Sequence, residues 1–299
     1  MRARRYAYFF IIRAYAKNTR KTVTTWWDDG GLTSTATTKL KKLMGGSSFD
    51  TPKPIELIER MIKMIAFDDK SAIVLDFFSG SSTTAHSVMK INAMDGGQRK
   101  FIMVQLPEVI NEKSEAYENG YRTISEIGQK RIILAGEELK KEFKKEIEEN
   151  YNDINEFDIG FKVFSLDSSN IREWNVDFEN LEKELDLYDT PFVEGRTELD
   201  VVYEIMLKYG LELTYPIHTF EVDGKNVYDI AFGNLFICLD KNINTNIAKA
   251  IIAKRDEYGT ETSSVVFSDA GFAGNDSEKL NCIELLKDAG YPEDNLLTI

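Results

Sequence analysis

Leu75-Asp76-Phe77-Phe78-Ser79-Gly80-Ser81-Ser82-Thr83-Thr84-Ala85-His86 is a turn of small residues set between an apolar run and a helical pattern. Before it, Ala72-Ile73-Val74-Leu75 is short and β-branched, which reads as a buried strand ending at Asp76. After it, Thr83 opens a helix with Ala85, Val88 and Met89 on one face, closed by Asp95-Gly96-Gly97. Phe101-Ile102-Met103-Val104 then supplies a second strand, which runs into Gln105-Leu106-Pro107-Glu108. Strand, turn, helix and strand make a βαβ unit. Backbone N–H groups at the start of its helix favour a carboxylate or phosphate, so the turn suits a nucleotide-like ligand. An ordinary strand-to-helix turn is the competing reading. The dinucleotide fingerprint needs three glycines and this turn has only Gly80, which argues against a nucleotide-binding oxidoreductase.

Upstream, Thr51-Pro52-Lys53-Pro54 opens a helix whose Ile58, Met61, Ile62 and Ile65 form one apolar stripe expected to face a sheet. Residues 1–48 read as irregular, with Thr, Gly and Ser clusters around one short helix near 37–44. Downstream, a long helix is expected over 121–150. It is amphipathic at Ile124, Ile127 and Ile132 and then charged from 137 to 149, as a solvated helix end and linker, with a domain boundary near 155. Beyond it the pattern gives strands at 161–166, 217–222, 227–232, 235–239 and 264–267, and helices at 199–209, 245–255 and 277–286. These alternate as a second, smaller α/β unit.

With 299 residues, 42% of them hydrophobic and 29% charged, the chain can bury one large or two medium cores and is neither disordered nor membrane-spanning in composition. Cys238 and Cys282 lack a CxxC context, and His86 and His218 are the only histidines, so no disulfide framework or metal site is expected. The apolar run at 6–12 follows arginines as a signal peptide's would. It is short, aromatic and without a clear cleavage site, so a cytoplasmic chain without membrane association is expected. The net charge of −13 is uneven: residues 1–50 hold ten Lys or Arg against three Asp, a net +7, which leaves −20 for the rest. Contact with nucleic acid therefore belongs to the leading segment, and contact with protein to the acidic body.

Three stretches in this order and spacing resemble the modification (Mod) subunits of type III restriction-modification systems, which are DNA adenine methyltransferases. They are Phe49-Asp50-Thr51-Pro52-Lys53-Pro54, the turn at 76–86, and the run from Asn92 through Asp95-Gly96-Gly97 and Phe101-Ile102-Met103-Val104 to Glu108. Later stretches also look like the family's: Thr24-Thr25-Trp26-Trp27, Ile159-Gly160-Phe161-Lys162-Val163-Phe164, Leu166-Asp167-Ser168-Ser169-Asn170, the helix at 203–210 and Asp269-Ala270-Gly271-Phe272. The resemblance implies an α/β fold: a partial Rossmann-like S-adenosylmethionine-dependent methyltransferase sheet followed by a smaller α/β C-terminal domain. It divides the chain into a remnant of a target-recognition or joining segment (1–48), a partial methyltransferase domain (49–155) and the C-terminal domain of a Mod subunit (156–299).

By the same resemblance, S-adenosyl-L-methionine is the cofactor, bound by Asp76, Phe78, Ser79, Gly80, Ser81 and Thr83, with Thr51, Pro52 and Lys53 closing over its methionine end. Glu108 stands where an acid would accept hydrogen bonds from ribose hydroxyls, with a structural carboxylate near Gln105 as the alternative. Ser82 occupies a place where many relatives have glycine. His86 reads as a cap or packing residue rather than a base, and Phe77 and Trp26-Trp27 as packing rather than base-stacking residues. The implied partners are DNA, a second Mod subunit and the restriction (Res) subunit.

One family feature is missing. The Asp-Pro-Pro-Tyr type motif holds the flipped adenine, and here Pro52, Pro54, Pro107, Pro191, Pro216 and Pro292 are the only prolines, none adjacent. No catalytic residue is therefore assigned. The chain is expected to be the C-terminal portion of such an enzyme, to bind the cofactor weakly or not at all, and not to methylate DNA. The alternative is a non-catalytic subunit-assembly module whose cofactor loop is vestigial.

Overall fold

The computed structural model describes residues 26–27, 29–151, 153–172, 192–272 and 274–299. The apolar run at 6–12, most of the basic leading segment, and Thr24-Thr25 lie outside them. The chain is mixed α/β and divides into two compact units, the first ending at Phe161 and the second beginning at Lys162. Among the described residues no helix is long and apolar enough to cross a membrane, and no cluster of three or more His, Cys, Asp or Glu side chains is placed to hold a metal ion.

The first unit is built around one helix. Its elements are α1 (Thr33–Met44), α2 (Ile55–Ala66), β1 (Ile73–Asp76), α3 (Thr83–Asp95), β2 (Lys100–Met103), α4 (Glu115–Glu118), α5 (Ile124–Glu142) and α6 (Lys144–Asn150). Ten of the thirteen residues of α3 are buried. On one side Val88 and Ile91 pack with Ile62 and Ala66 of α2, and on the other Ala85, Met89 and Ala93 pack with Ile132, Ala135 and Leu139 of α5. A helix buried nearly all round shows little amphipathicity, because both of its faces must be small or apolar. It ends where Gly96 takes φ 68°, a left-handed cap that glycine adopts without penalty.

β1 and β2 pair in parallel with Ile73 opposite Lys100 and Asp76 opposite Met103, the crossover being α3. The expectation that the first strand is buried is half met, and the second strand follows the same pattern. Val74, Phe101 and Met103 face the helices, whereas Ile73, Leu75, Ile102 and Val104 point outward and are exposed. With a side-chain period of two, a two-stranded sheet covered on one face must leave alternate residues open. In α2 likewise, Ile58 and Ile62 pack inward against both α3 and the strands, while Met61 and Ile65 lie on the neighbouring face and are exposed. The helix expected over 121–150 is two helices, because Phe143 breaks from helical geometry and joins the core.

The second unit is a three-layer sandwich. Its five-stranded sheet has the order β3 (Ile217–Val222), β4 (Lys225–Ile230), β5 (Leu235–Cys238), β6 (Ser264–Phe267), β7 (Leu296–Thr298). The first three strands are antiparallel and the last three parallel. All of β5 is buried: Leu235 and Ile237 pack with Val201, Val202, Ile205 and Met206 of α7 (Glu198–Lys208), and Phe236 and Cys238 pack with residues of α8 (Thr245–Tyr258) and α9 (Asp276–Asp288) on the other face. A continuous apolar run is what a strand covered on both sides requires. The α7 helix starts with a reciprocal capping box, Thr197 with Asp200.

Two readings of this part of the chain are corrected and one strand was missed. Residues 161–166 form no strand; Val163, Phe164 and Leu166 are exposed, and Phe164 meets Tyr203 edge-on with ring centroids 4.9 Å apart. β4 ends at Ile230 rather than continuing to 232, because Ala231 and Phe232 take positive φ values of 53° and 56° to reverse the chain. β7 carries no sequence signal of its own; it is three residues long and is defined by its pairing to β6.

Cys238 and Cys282 are buried and free, and desolvation pushes each thiol up to about 12. Neither is expected to react with an aromatic disulfide reagent at pH 8 in the native state, and both are expected to react in denaturant. Stoichiometric labelling of the folded chain within seconds would contradict this packing.

Candidate functional site: the β1 to α3 turn

The turn leaves β1 at Asp76 and enters α3 at Thr83. Asp76 organises it: its Oδ1 accepts from the N–H of Phe78 (3.2 Å) and its Oδ2 from the hydroxyl of Thr84 (2.6 Å). The N–H of Ser79 donates to the carbonyl of Val104, beyond β2 (3.1 Å), and that of Gly80 donates to Oε1 of Gln105 (2.8 Å). Gln105 donates in turn to Glu108 (3.4 Å), so Glu108 joins the turn through a side-chain relay at the carboxyl ends of both strands. Phe78 and Glu108 are exposed, as is Phe77, whose ring tilts against that of Phe78. Of the core or interface packing read for Phe77, the structure excludes the core. Trp26 is exposed too, while Trp27 lies beneath the guanidinium of Arg60.

Ser79, Ser81, Ser82, Thr83 and Thr84 are buried, so the turn is packed from behind. Three groups do the packing. Phe49 lies where a Cβ on Gly80 would come within 3.3 Å of its ring. The segment at 51–54 runs along the first turn of α3, with the Thr83 hydroxyl donating to the carbonyl of Lys53 (3.4 Å); Pro52 is buried, and Thr51 and Lys53 are exposed. From the third side, α5 brings Gly128 and Arg131. A Cβ on Gly128 would lie 2.5 Å from the Ser82 hydroxyl, so only glycine lets α5 approach this closely. One helical turn later, Nη1 of Arg131 donates to the carbonyl of Ser81 (3.2 Å), the Ser81 hydroxyl (2.9 Å) and the Thr83 hydroxyl (2.7 Å). The reading of the sequence missed Gly128 and Arg131. A glycine inside an amphipathic helix, three residues before a basic residue at a core-facing position, was the available signal.

Ser82 closes α3 at its start with φ 57° and ψ 42°, the left-handed region. Glycine occupies this region freely, whereas a side chain there costs roughly 1–2 kcal/mol. Ser82→Gly is therefore expected to raise the free energy of unfolding by about 1 kcal/mol, read as a higher urea midpoint at unchanged slope. A lower midpoint would show that the Ser82 hydroxyl matters more than the backbone strain.

His86 sits in the first turn of α3, buried, with Nδ1 lacking a hydrogen-bond partner. Burial first, then the charges of Arg131 and Lys90, lower its pKa to about 3. It is therefore a neutral packing residue at physiological pH, in keeping with its reading as such. Because the folded value lies below the unfolded one, stability is complete above about pH 6.5 and falls as the unfolded chain gains a proton, by up to roughly 1.4 kcal/mol per pH unit towards pH 3. His86→Leu is expected to remove that slope between pH 7 and pH 5, measured as urea unfolding free energies; identical slopes in the two proteins would refute it.

Residues 3–149, which include the whole turn, match the DNA methylase family. The chain is 33% identical over 270 residues to the type III restriction-modification enzyme EcoPI Mod subunit of Escherichia phage P1, covering 88% of this chain and 38% of that protein. The chain is a relative of type III Mod subunits. It is also 36% identical over 151 residues to the StyLTI Mod subunit of Salmonella typhimurium, with 50% of this chain and 22% of that protein covered. Against the EcoP15I Mod subunit of Escherichia coli it is 30% identical over 255 residues, with 82% and 35% covered. This Mod relative thus spans less than two fifths of the length of these proteins.

Proposed function

We propose that the β1 to α3 turn is the S-adenosyl-L-methionine site of a DNA adenine methyltransferase of the type III Mod kind, on a partial Rossmann-like sheet. The observation that carries this reading is the convergence on the first turn of α3 of the two segments the family resemblance assigns to the cofactor, 51–53 and 76–83, held by the bond from Thr83 to Lys53. The residues fit the group. Gly80 and Ser82 turn the backbone at the carboxyl ends of parallel strands, where such sheets bind ligands. Phe78 offers an exposed ring, and Glu108 an exposed carboxylate suited to ribose hydroxyls. The proposed contacts are Thr51, Pro52, Lys53, Asp76, Phe78, Ser79, Gly80, Ser81, Thr83 and Glu108.

When bound, the cofactor supplies an activated methyl group for the exocyclic amine of adenine. The chain's own part is to orient it: Asp76 keeps the turn's shape, and the first turn of α3 would receive the amino-acid end. This sequence has no Asp-Pro-Pro-Tyr type motif to grip the adenine, so by itself it is expected to bind the cofactor weakly and to transfer no methyl group. DNA, a second Mod subunit, the Res subunit and a cytoplasmic location follow from the resemblance to Mod subunits as part of the same proposal. So does the assignment of 1–48, 49–155 and 156–299 as joining, cofactor-binding and assembly segments.

Two observations favour the second reading, an assembly module with a vestigial loop: the N–H of Gly80 is already taken by Gln105, and Phe49 lies against Gly80. Calorimetric titration of the chain with S-adenosylhomocysteine separates the two. Saturable heat that disappears in Gly80→Trp supports the cofactor site, and absence of heat supports the assembly module. Incubation with tritiated S-adenosylmethionine and an adenine-containing duplex is expected to leave the DNA unlabelled. Labelling above background would overturn the claim that the chain alone is inactive.

A further inference from the structure

We propose that Arg131 is a positioning residue that sets how tightly the turn holds the anionic, amino-acid end of the methyl donor; this rests on the donor site proposed above. The Arg131 side chain is buried, and among the described residues it has no carboxylate within ion-pair distance. Its Nη1 is spent on three neutral oxygens of the turn, and its Nε has no partner. Desolvation without an acidic neighbour lowers its pKa to about 10, so it remains charged at neutral pH.

A buried guanidinium normally has an acid beside it, because the cost of removing the charge from water is otherwise unreturned. Here the charge lies directly behind the start of α3, whose amides already favour an anion. It also ties three parts together: the Thr83 hydroxyl accepts a hydrogen bond from Arg131 and donates one to the carbonyl of Lys53, so α5, the turn and the 51–54 segment are joined through one side chain. A carboxylate arriving at this turn is the missing counter-charge. A ligand with the same nucleoside but no carboxylate gains nothing from it.

The test compares S-adenosylhomocysteine, which carries the amino-acid end, with 5′-methylthioadenosine, which lacks it, by titration calorimetry on the 299-residue chain, Arg131→Met and Arg131→Lys. In Arg131→Met, S-adenosylhomocysteine is expected to weaken by about tenfold or more, the size of one lost charge-assisted interaction, and methylthioadenosine by less than about threefold. Arg131→Lys, which keeps the charge but not the fork, is expected to restore part of the difference. Near-UV circular dichroism reports whether each variant is folded. Should Arg131→Met not fold, Arg131→Lys alone decides: S-adenosylhomocysteine weakened with methylthioadenosine unchanged supports the proposal, and equal changes overturn it. Equal loss of both ligands, or loss of neither, in folded Arg131→Met overturns the role of Arg131 while the parent's binding keeps the donor site. A parent chain that binds neither ligand removes the donor site and this proposal together.

Discussion

Burying the first turn of α3 forces its polar atoms to find partners inside the protein, and the first unit is arranged to supply them for its serine and threonine side chains, while Nδ1 of His86 goes without. Serine and threonine hydroxyls and free helix-start amides are costly in an apolar interior unless they are hydrogen-bonded. Here Asp76 serves one end of the turn, Lys53 and Ile55 accept from Thr83 and Ser87, and Arg131 donates to Ser81 and Thr83. The apolar flanks of the same helix bring those partners within reach, since α2 and α5 pack on its two sides. Packing and polar satisfaction are thus one constraint.

That constraint also accounts for where small residues occur. Gly128 lets the backbone of α5 approach Ser82 and Gly80, and the approach is what puts Arg131 within reach of the turn. Ser82 and Gly80 both adopt positive φ so that the chain can pass from strand to helix in few residues. A turn supported in this way has its backbone and hydroxyl groups fixed by the surrounding protein. The second unit follows a different logic. Its sheet is covered on both faces, and its apolar residues are divided between two cores by the alternation along β5.

Much of this was legible in the residues. The β1, α3, β2 order, the glycine cap after Asp95, and four of the five strands of the second sheet follow from local patterns, because strand alternation, helical stripes and turn residues act over a few positions. The failures share a cause. Residues 161–166 are apolar enough for a strand but have no neighbouring ladder, and Met61 and Ile65 look like core residues until the direction of α2 is known. Whether an apolar residue is covered depends on a partner element, and no local pattern encodes that partner.

By itself the sequence determined the two α/β units in outline and the likeness to Mod subunits, since these reside in residue types at short spacing. It also located the turn at 76–83 and its companion segment at 51–54. Only the tertiary structure decided that the two segments meet, that Glu108 reaches the turn through Gln105, and that Gly128 and Arg131 stand behind it from α5. The physical reason is separation along the chain: Arg131 lies fifty residues from Ser81, and a hydrogen bond across that interval is set by how helices pack.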